Sequence, residues 1–264
     1  MKRMILAAAI TFMLSVAYGQ GLTADFRNGA QSFISANIGV SIPGGRFGSK
    51  TIYENYNNPY SESALKLPLT GSEIYKVIGF AGPGLSAGVN GAWYFNQFWG
   101  IGVRASFTQC SLAKAKLGSA YAAAYGDNSS FEFNTNDNYI SVWIMPGVYF
   151  GVALSDDIQV GLDVGFGPQY LHSPEFSCNY SIDGSSNTEI VASNADWDFS
   201  YYVSMGVKYK IDTHLAVSFD VNYNEIYMKF DYSVRRGVNT FTETHDVFYK
   251  CPTLNLGLVY LFFK

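Results

Sequence analysis

From position 158 to 170 every second residue is apolar. Ile158, Val160, Leu162, Val164, Phe166, Pro168 and Tyr170 alternate with Gln159, Gly161, Asp163, Gly165, Gly167 and Gln169. Successive strand side chains point to opposite faces, so this stretch carries one greasy face and one polar or very small face. The pattern repeats at 199–211, 215–223 and 254–262, and more noisily at 34–42, 85–95, 99–107 and 140–152, which predicts eight strands. Their connections alternate in length. Short turns at 96–98, 155–157 and 212–214 separate long segments at 44–75, 111–138, 171–197 and 225–252. Short turns at one end, long loops at the other and an even strand count are the build of a transmembrane β-barrel.

A soluble β-sandwich also buries greasy faces, so alternation alone does not choose between the two. The other face decides. Gly, Ser, Asn, Asp and Lys dominate it in strand after strand, which suits a narrow lumen better than the outside of a protein with so many opposing aromatics. Composition agrees: of 264 residues only 14% are charged while 17% are aromatic, the reverse of a disordered chain. The net charge of −4 leaves no basic stripe for a phosphate backbone, so nucleic acid is not an expected partner.

The first residues read as an export address. Lys2 and Arg3 precede an apolar run from Met4 to Val16 and the small-residue pattern Ala17-Tyr18-Gly19, so residues 1–19 are expected to be a signal peptide cut before Gln20. Residues 20–30 form a lead-in and residues 31–264 the barrel domain.

Arg104, Asp163, Lys208, Lys210 and Asp220 are all expected to point into the lumen. They would form either a polar constriction or, as favoured here, a paired network that plugs it, since buried charges require partners. Tyr94, Phe95, Phe98, Trp99, Phe150 and Tyr209, with Tyr149 and Tyr260 nearby, cluster near the short turns and are expected at the membrane interface. Pro146 and Pro168 interrupt strands and are read as bulges. Apolar alternation resumes at 176–182 up to Asp183-Gly184, a hairpin dipeptide. It resumes again at 226–234, one step out of phase with 215–223, which predicts another bulge. Residues 112–125 suit a hairpin arm or a short helix. Protruding hairpins offer strand edges to an extracellular protein ligand.

Chemistry-bearing motifs are few. Gly84-Leu85-Ser86-Ala87-Gly88 matches a nucleophile elbow, but no helix follows it. His172, Ser173 and Glu175 could serve a lipid-modifying enzyme, although adjacent strand residues face opposite ways. Cys110, Cys178 and Cys251 all fall on the long-loop side. Three allow at most one internal bridge, of undetermined pairing. No spacing suggests a metal or other cofactor.

The leader, the eight strands and the ending Leu254-Asn255-Leu256-Gly257-Leu258-Val259-Tyr260-Leu261-Phe262-Phe263 resemble the small OmpA/OmpX-type outer-membrane barrels, and most of all the outer-membrane β-barrel domain family common in Bacteroidota. The resemblance implies an eight-stranded antiparallel up-and-down barrel with short periplasmic turns and long extracellular hairpins. It implies an outer-membrane location in contact with lipid and lipopolysaccharide. It further implies that Leu256, Leu258, Tyr260, Phe262 and Phe263 signal to the barrel-assembly machinery, although Lys264 follows where many members end on Phe. The expected role is non-enzymatic surface binding, adhesion or envelope integrity. A narrow porin is the alternative, and a lipid-modifying enzyme comes third.

Overall fold

The computed structural model describes residues 30–44, 47, 81–125 and 127–262. The expected leader and Phe263 lie outside them. Described residues form β1 Ser32–Ser41, β2 Ala81–Tyr94, β3 Trp99–Leu112, α1 Lys114–Tyr125, β4 Ser129–Asn134, β5 Tyr139–Ala153, β6 Ile158–Ser173, β7 Phe176–Ile182, β8 Ser185–Val191, β9 Asn194–Lys210, β10 Leu215–Arg236, β11 Asn239–Lys250 and β12 Thr253–Phe262. All pairings are antiparallel. The order β12-β1-β2-β3-β5-β6-β9-β10 returns to β12 through Leu215↔Tyr260 to Asn222↔Thr253, so eight of the strands close a ring. The other four, with α1, stand above it on the long-loop side.

The wall is inside-out relative to a soluble barrel. Ile38, Leu85, Val89, Ile101, Ile144, Val207, Phe219 and Leu256 project outward and exposed, while Ser35, Asn37, Asn90, Ser204, Asn222 and Asn255 are buried in the lumen. Aromatics mark both rims of the greasy belt: Phe95, Trp99 and Tyr209 near the turns, Trp197, Phe199 and Phe166 at the far side. From Tyr209 to Phe199 is ten residues, about 33 Å of strand at ~3.3 Å each and about 25 Å along the normal once tilted by ~40°, the height of an outer-membrane apolar band.

The two prolines do not make bulges. Pro146 stays in register with Val103 and Pro168 with Phe199; between β5 and β6 the pairing lapses from Trp143↔Gln169 to Gly147↔Gly165 without slipping. Both lost N–H groups are thus accommodated by one local opening of a single seam, while the seams to β3 and β9 run on. A register shift does occur where it was not expected, between Ala81 and Gly84 on β2.

The predicted bulge near 225 is likewise absent. β10 runs 22 residues in unbroken register, first against β9 and β12 and then against β11. What changes is the chemistry of its faces. Ala216, Ser218, Asp220, Asn222 and Asn224 point inward below; Ile226, Met228, Phe230, Tyr232 and Val234 point inward above. Outward, Val217, Phe219 and Val221 give way to Lys229, Asp231, Ser233 and Arg235. Lipid outside demands apolar residues outside; where water replaces lipid the polarity inverts. The switch at Asn224–Glu225 therefore locates the upper membrane boundary.

Above that boundary the extension has its own core, in which Phe230, Tyr232, Leu117, Tyr121, Phe133, Leu171 and Tyr180 pack together. Leu117 and Tyr121, one helical turn apart, fasten α1 to it. The β7–β8 hairpin turns at Asp183 and Gly184, both at positive φ (48° and 81°), as a two-residue turn between twisted strands requires. Open space surrounds Gly184, so any cost of substitution lies in the backbone. Gly184→Val is expected to cost the hairpin about 1–2 kcal/mol. Gly184→Asn should be near neutral; limited proteolysis across a urea series reads the difference.

β9 leaves β10 at Tyr201, and its remaining length pairs with β6 alone. There the N–H groups of Ala195, Trp197 and Phe199 donate to the side-chain oxygens of Asn194, Asp196 and Asp198, each the residue just before.

Candidate functional site

The lumen is occupied at three levels. Nearest the short turns, Phe33, Ala92, Tyr94, Tyr149, Val259 and Leu261 form an apolar floor, with Phe33 and Tyr149 edge to face at 6.1 Å. Above it lie the charges. Arg104 on β3 donates through Nε to Asp163 Oδ2 on β6 at 3.1 Å, and through a terminal nitrogen to Oδ1 at 3.2 Å; the two side chains are 3% and 8% exposed. This bidentate pairing matches the planar guanidinium to the carboxylate. Lys208 on β9 sits 3.7 Å over the Phe33 ring and within electrostatic reach of Asp220 on β10 and of Asp163. Two positive and two negative groups from four strands balance one another. The space left among them, between Asn90, Tyr94, Asp163, Lys208 and Asp220, is about 10 Å³. That is at the lower limit of what one water needs.

Higher still, uncharged polar groups link wall to wall. Gln169 donates to Ser141 Oγ at 2.8 Å and accepts from Ser200, to whose hydroxyl Asn224 donates at 3.3 Å. Asn255 donates to Thr253 Oγ1 at 2.9 Å and accepts from Ser86. The serine of the elbow-like motif is thus mid-strand on β2 and engaged in the lumen. Above these groups lies the extension's apolar core.

Outside, the extension presents an open groove of about 880 Å³ between β4, β7, β8 and the β10–β11 turn, lined by Ser130, Glu132, Asn179, Thr188, Arg236 and Val238. Beside it Arg236 Nε donates to the fully buried Glu189 Oε1 at 2.6 Å, an ion pair that ties β8 to β10. Burial first, and then the charge of Glu189, push the Tyr180 phenol up to about 12.

Of the five expected lumen charges, four meet. Lys210 does not join them; it is two residues nearer the short turn, with its backbone N–H on Asp157 O. Tyr94, expected at the interface, is a correction: at 1% exposure it points into the lumen floor, because its neighbours Trp93 and Phe95 take the outward side; Tyr149 on β5 is buried there too. Phe95, Trp99 and Tyr209 do project outward, and Phe98 and Trp99 pack on Phe150 at 6.2 and 4.9 Å. Leu256, Leu258, Tyr260 and Phe262 form one outward row on β12.

His172 and Ser173 do not come together. Ser173 is buried and accepts from Tyr232 at 2.7 Å, whereas His172 Nε2 is 2.7 Å from Asp137 Oδ2. Burial would raise the Asp137 carboxyl, but bonds from His172 and from the backbone N–H groups of Asn138 and Glu175 outweigh it and hold the group below the usual range. Sequence reasoning missed the Glu189–Arg236 pair, since the two residues are 47 positions apart and polar neighbours surround both. The lumen floor was legible in principle from the parity of Tyr94 within its strand.

Among the described residues no helix is long and apolar enough to cross a membrane, and no three His, Cys, Asp or Glu residues are grouped to hold a metal ion. The profile of the outer membrane protein beta-barrel domain family matches residues 72–262. Solved structures similar to the chain include outer membrane protein OprG from Pseudomonas aeruginosa (12% identity, 89% of this chain and 98% of that one covered, TM-score 0.44). Neisserial surface protein A (10%, 88% and 98%, 0.40) and Ail, the attachment invasion locus protein of Yersinia pestis (14%, 88% and 100%, 0.34), are also similar. No curated protein matches the chain.

Proposed function

Because the chain belongs to the outer membrane protein beta-barrel domain family, we propose that it is a non-enzymatic barrel of the bacterial outer membrane that works through its extracellular extension, as a surface-binding protein with a closed lumen. The observation that carries this reading is the contrast between inside and outside. Side chains occupy the lumen at three levels, with about 10 Å³ left among the charged ones, while the chain builds four strands, a helix and a second core above the membrane. Stability alone does not call for that extension, since eight paired strands already satisfy the backbone in lipid. Its groove, with amides, hydroxyls, Glu132 and Arg236 around exposed Val238, suits an extracellular protein ligand.

Two measurements test it. In planar bilayers the purified barrel is expected to give no discrete conductance steps; steps that vanish on altering Arg104 or Asp163 would replace this reading with a narrow pore. A variant whose residues 176–191 are replaced by a short turn is expected to keep its heat-modifiable gel mobility. Cells displaying that variant should lose adherence to protein-coated surfaces. Unchanged adherence would remove the hairpin from the function.

A further inference from the structure

Cys110 is the last inward residue but one of β3, before Leu112, and Cys251 stands in the break between β11 and β12. Their sulfurs are 3.7 Å apart, with Ser41 Oγ 3.3 Å from the Cys110 sulfur, and each residue is at most 2% exposed. β3 and β12 are not ladder neighbours, because β1 and β2 lie between them. The two thiols therefore meet across the interior. They do so at the level where Thr108 and Thr253 of the polar lumen give way to Tyr139 and Tyr249 of the apolar core. At the break Pro252 has no N–H to donate; Cys251 N on Asn224 O at 3.2 Å continues the seam to β10, and on the other side Ile42 N donates to Pro252 O at 2.8 Å.

We propose that Cys110 and Cys251 are joined by a disulfide in the mature protein, a covalent tie across the barrel that separates the polar lumen from the extension above. Outer-membrane proteins mature through an oxidising compartment. The bond forms by exchange with a disulfide-bearing periplasmic oxidant. One cysteine thiolate attacks a sulfur of that disulfide, giving a mixed disulfide and releasing the oxidant's other sulfur as thiolate. The second cysteine thiolate then attacks the chain's own sulfur in the mixed disulfide. The chain loses two protons and two electrons, and the oxidant leaves as a dithiol. Both sulfurs are buried once the core closes, so the exchange precedes closure, and afterwards the bond is shielded from reductants. From 3.7 Å the sulfurs need to close by about 1.7 Å to bond.

Cys178 is the odd thiol. It is fully buried on β7, across the ladder from Glu189, and burial first and that carboxylate second push it up to about 12. Little of it is thiolate, so it exchanges poorly.

The test uses the full chain from native envelopes, denatured in SDS without reductant and reacted with a polyethylene-glycol maleimide. One addition is expected, rising to three after reduction. Cys178→Ser should show none before reduction, and Cys110→Ser two. Peptide mapping of the unreduced parent, which needs no variant, should yield the peptides of Cys110 and Cys251 linked and two hydrogens lighter than their sum. Three additions without reductant, or a bridge that includes Cys178, overturns the proposal.

Discussion

Asp163→Leu with Arg104 left in place is expected to destabilise the folded barrel by about 3–5 kcal/mol, because it strands a guanidinium in the lumen. Arg104 is 3% exposed and its two donors go to that one carboxylate. Remaining help is indirect: Asp220 stands within electrostatic reach but makes no hydrogen bond to Arg104, the Tyr202 ring lies 5.6 Å away, and Lys208 brings a like charge. The double variant Arg104→Met with Asp163→Leu removes the uncompensated charge and should recover most of the loss, since well-packed apolar pairs often match the ion pair they replace. The fraction of chain keeping folded gel mobility across a urea series, in lipid vesicles, measures both. A single variant as stable as the parent would mean that water reaches Arg104, and the closed-lumen reading would fall with it.

Phe230→Ala is expected to act on the other half of the molecule. Phe230 is 1% exposed in the extension's core, edge to face with Tyr232 at 5.8 Å. Truncating a buried Phe costs about 3–5 kcal/mol. Below Glu225, β10 is held by β9 and β12; above it, by β11 and briefly by β8. The loss should therefore open the extension while the ring stays shut. External protease should cut within 226–250 at least roughly a hundredfold faster, as cleavage follows the open population when reclosing is fast. A membrane-protected barrel fragment should remain. If heat-modifiable mobility is lost together with protease resistance, extension and ring are one cooperative unit, and the boundary drawn at Asn224–Glu225 is not a mechanical one.

The ring strands were legible because lipid imposes the simplest code a strand can carry, apolar on every second residue, and the short turns kept that code in phase. The same code misled above the membrane. At 226–234 a shift of apolar residues to the other parity reads as an extra residue in the strand, whereas the backbone continues unshifted and the solvent changes instead. Tyr94 was misassigned because its neighbour Phe95 carries the outward face, and proximity to a turn says nothing about parity. Pro146 and Pro168 were expected to bulge because each alone must lose a ladder bond; only pairing shows that both losses fall on one seam. Arg104, Asp163, Lys208 and Asp220 could be named from strand parity, but which carboxylate faces Arg104 depends on relative strand heights that no single strand encodes.

The upper part of β9 carries a further consequence. A protein confined to a membrane meets its own copies upright and at one height, so an unpaired strand edge would find the same edge of its neighbour at nearly every collision. The donors of Ala195, Trp197 and Phe199 would be that edge, and each is already engaged by the carboxylate or amide of the residue before it. Asp196 and Asp198 also place negative charge along the line of approach, so two copies repel where they would otherwise zip. Crowding in the plane of the membrane therefore gives this edge no free row of donors along which a second copy could add a strand.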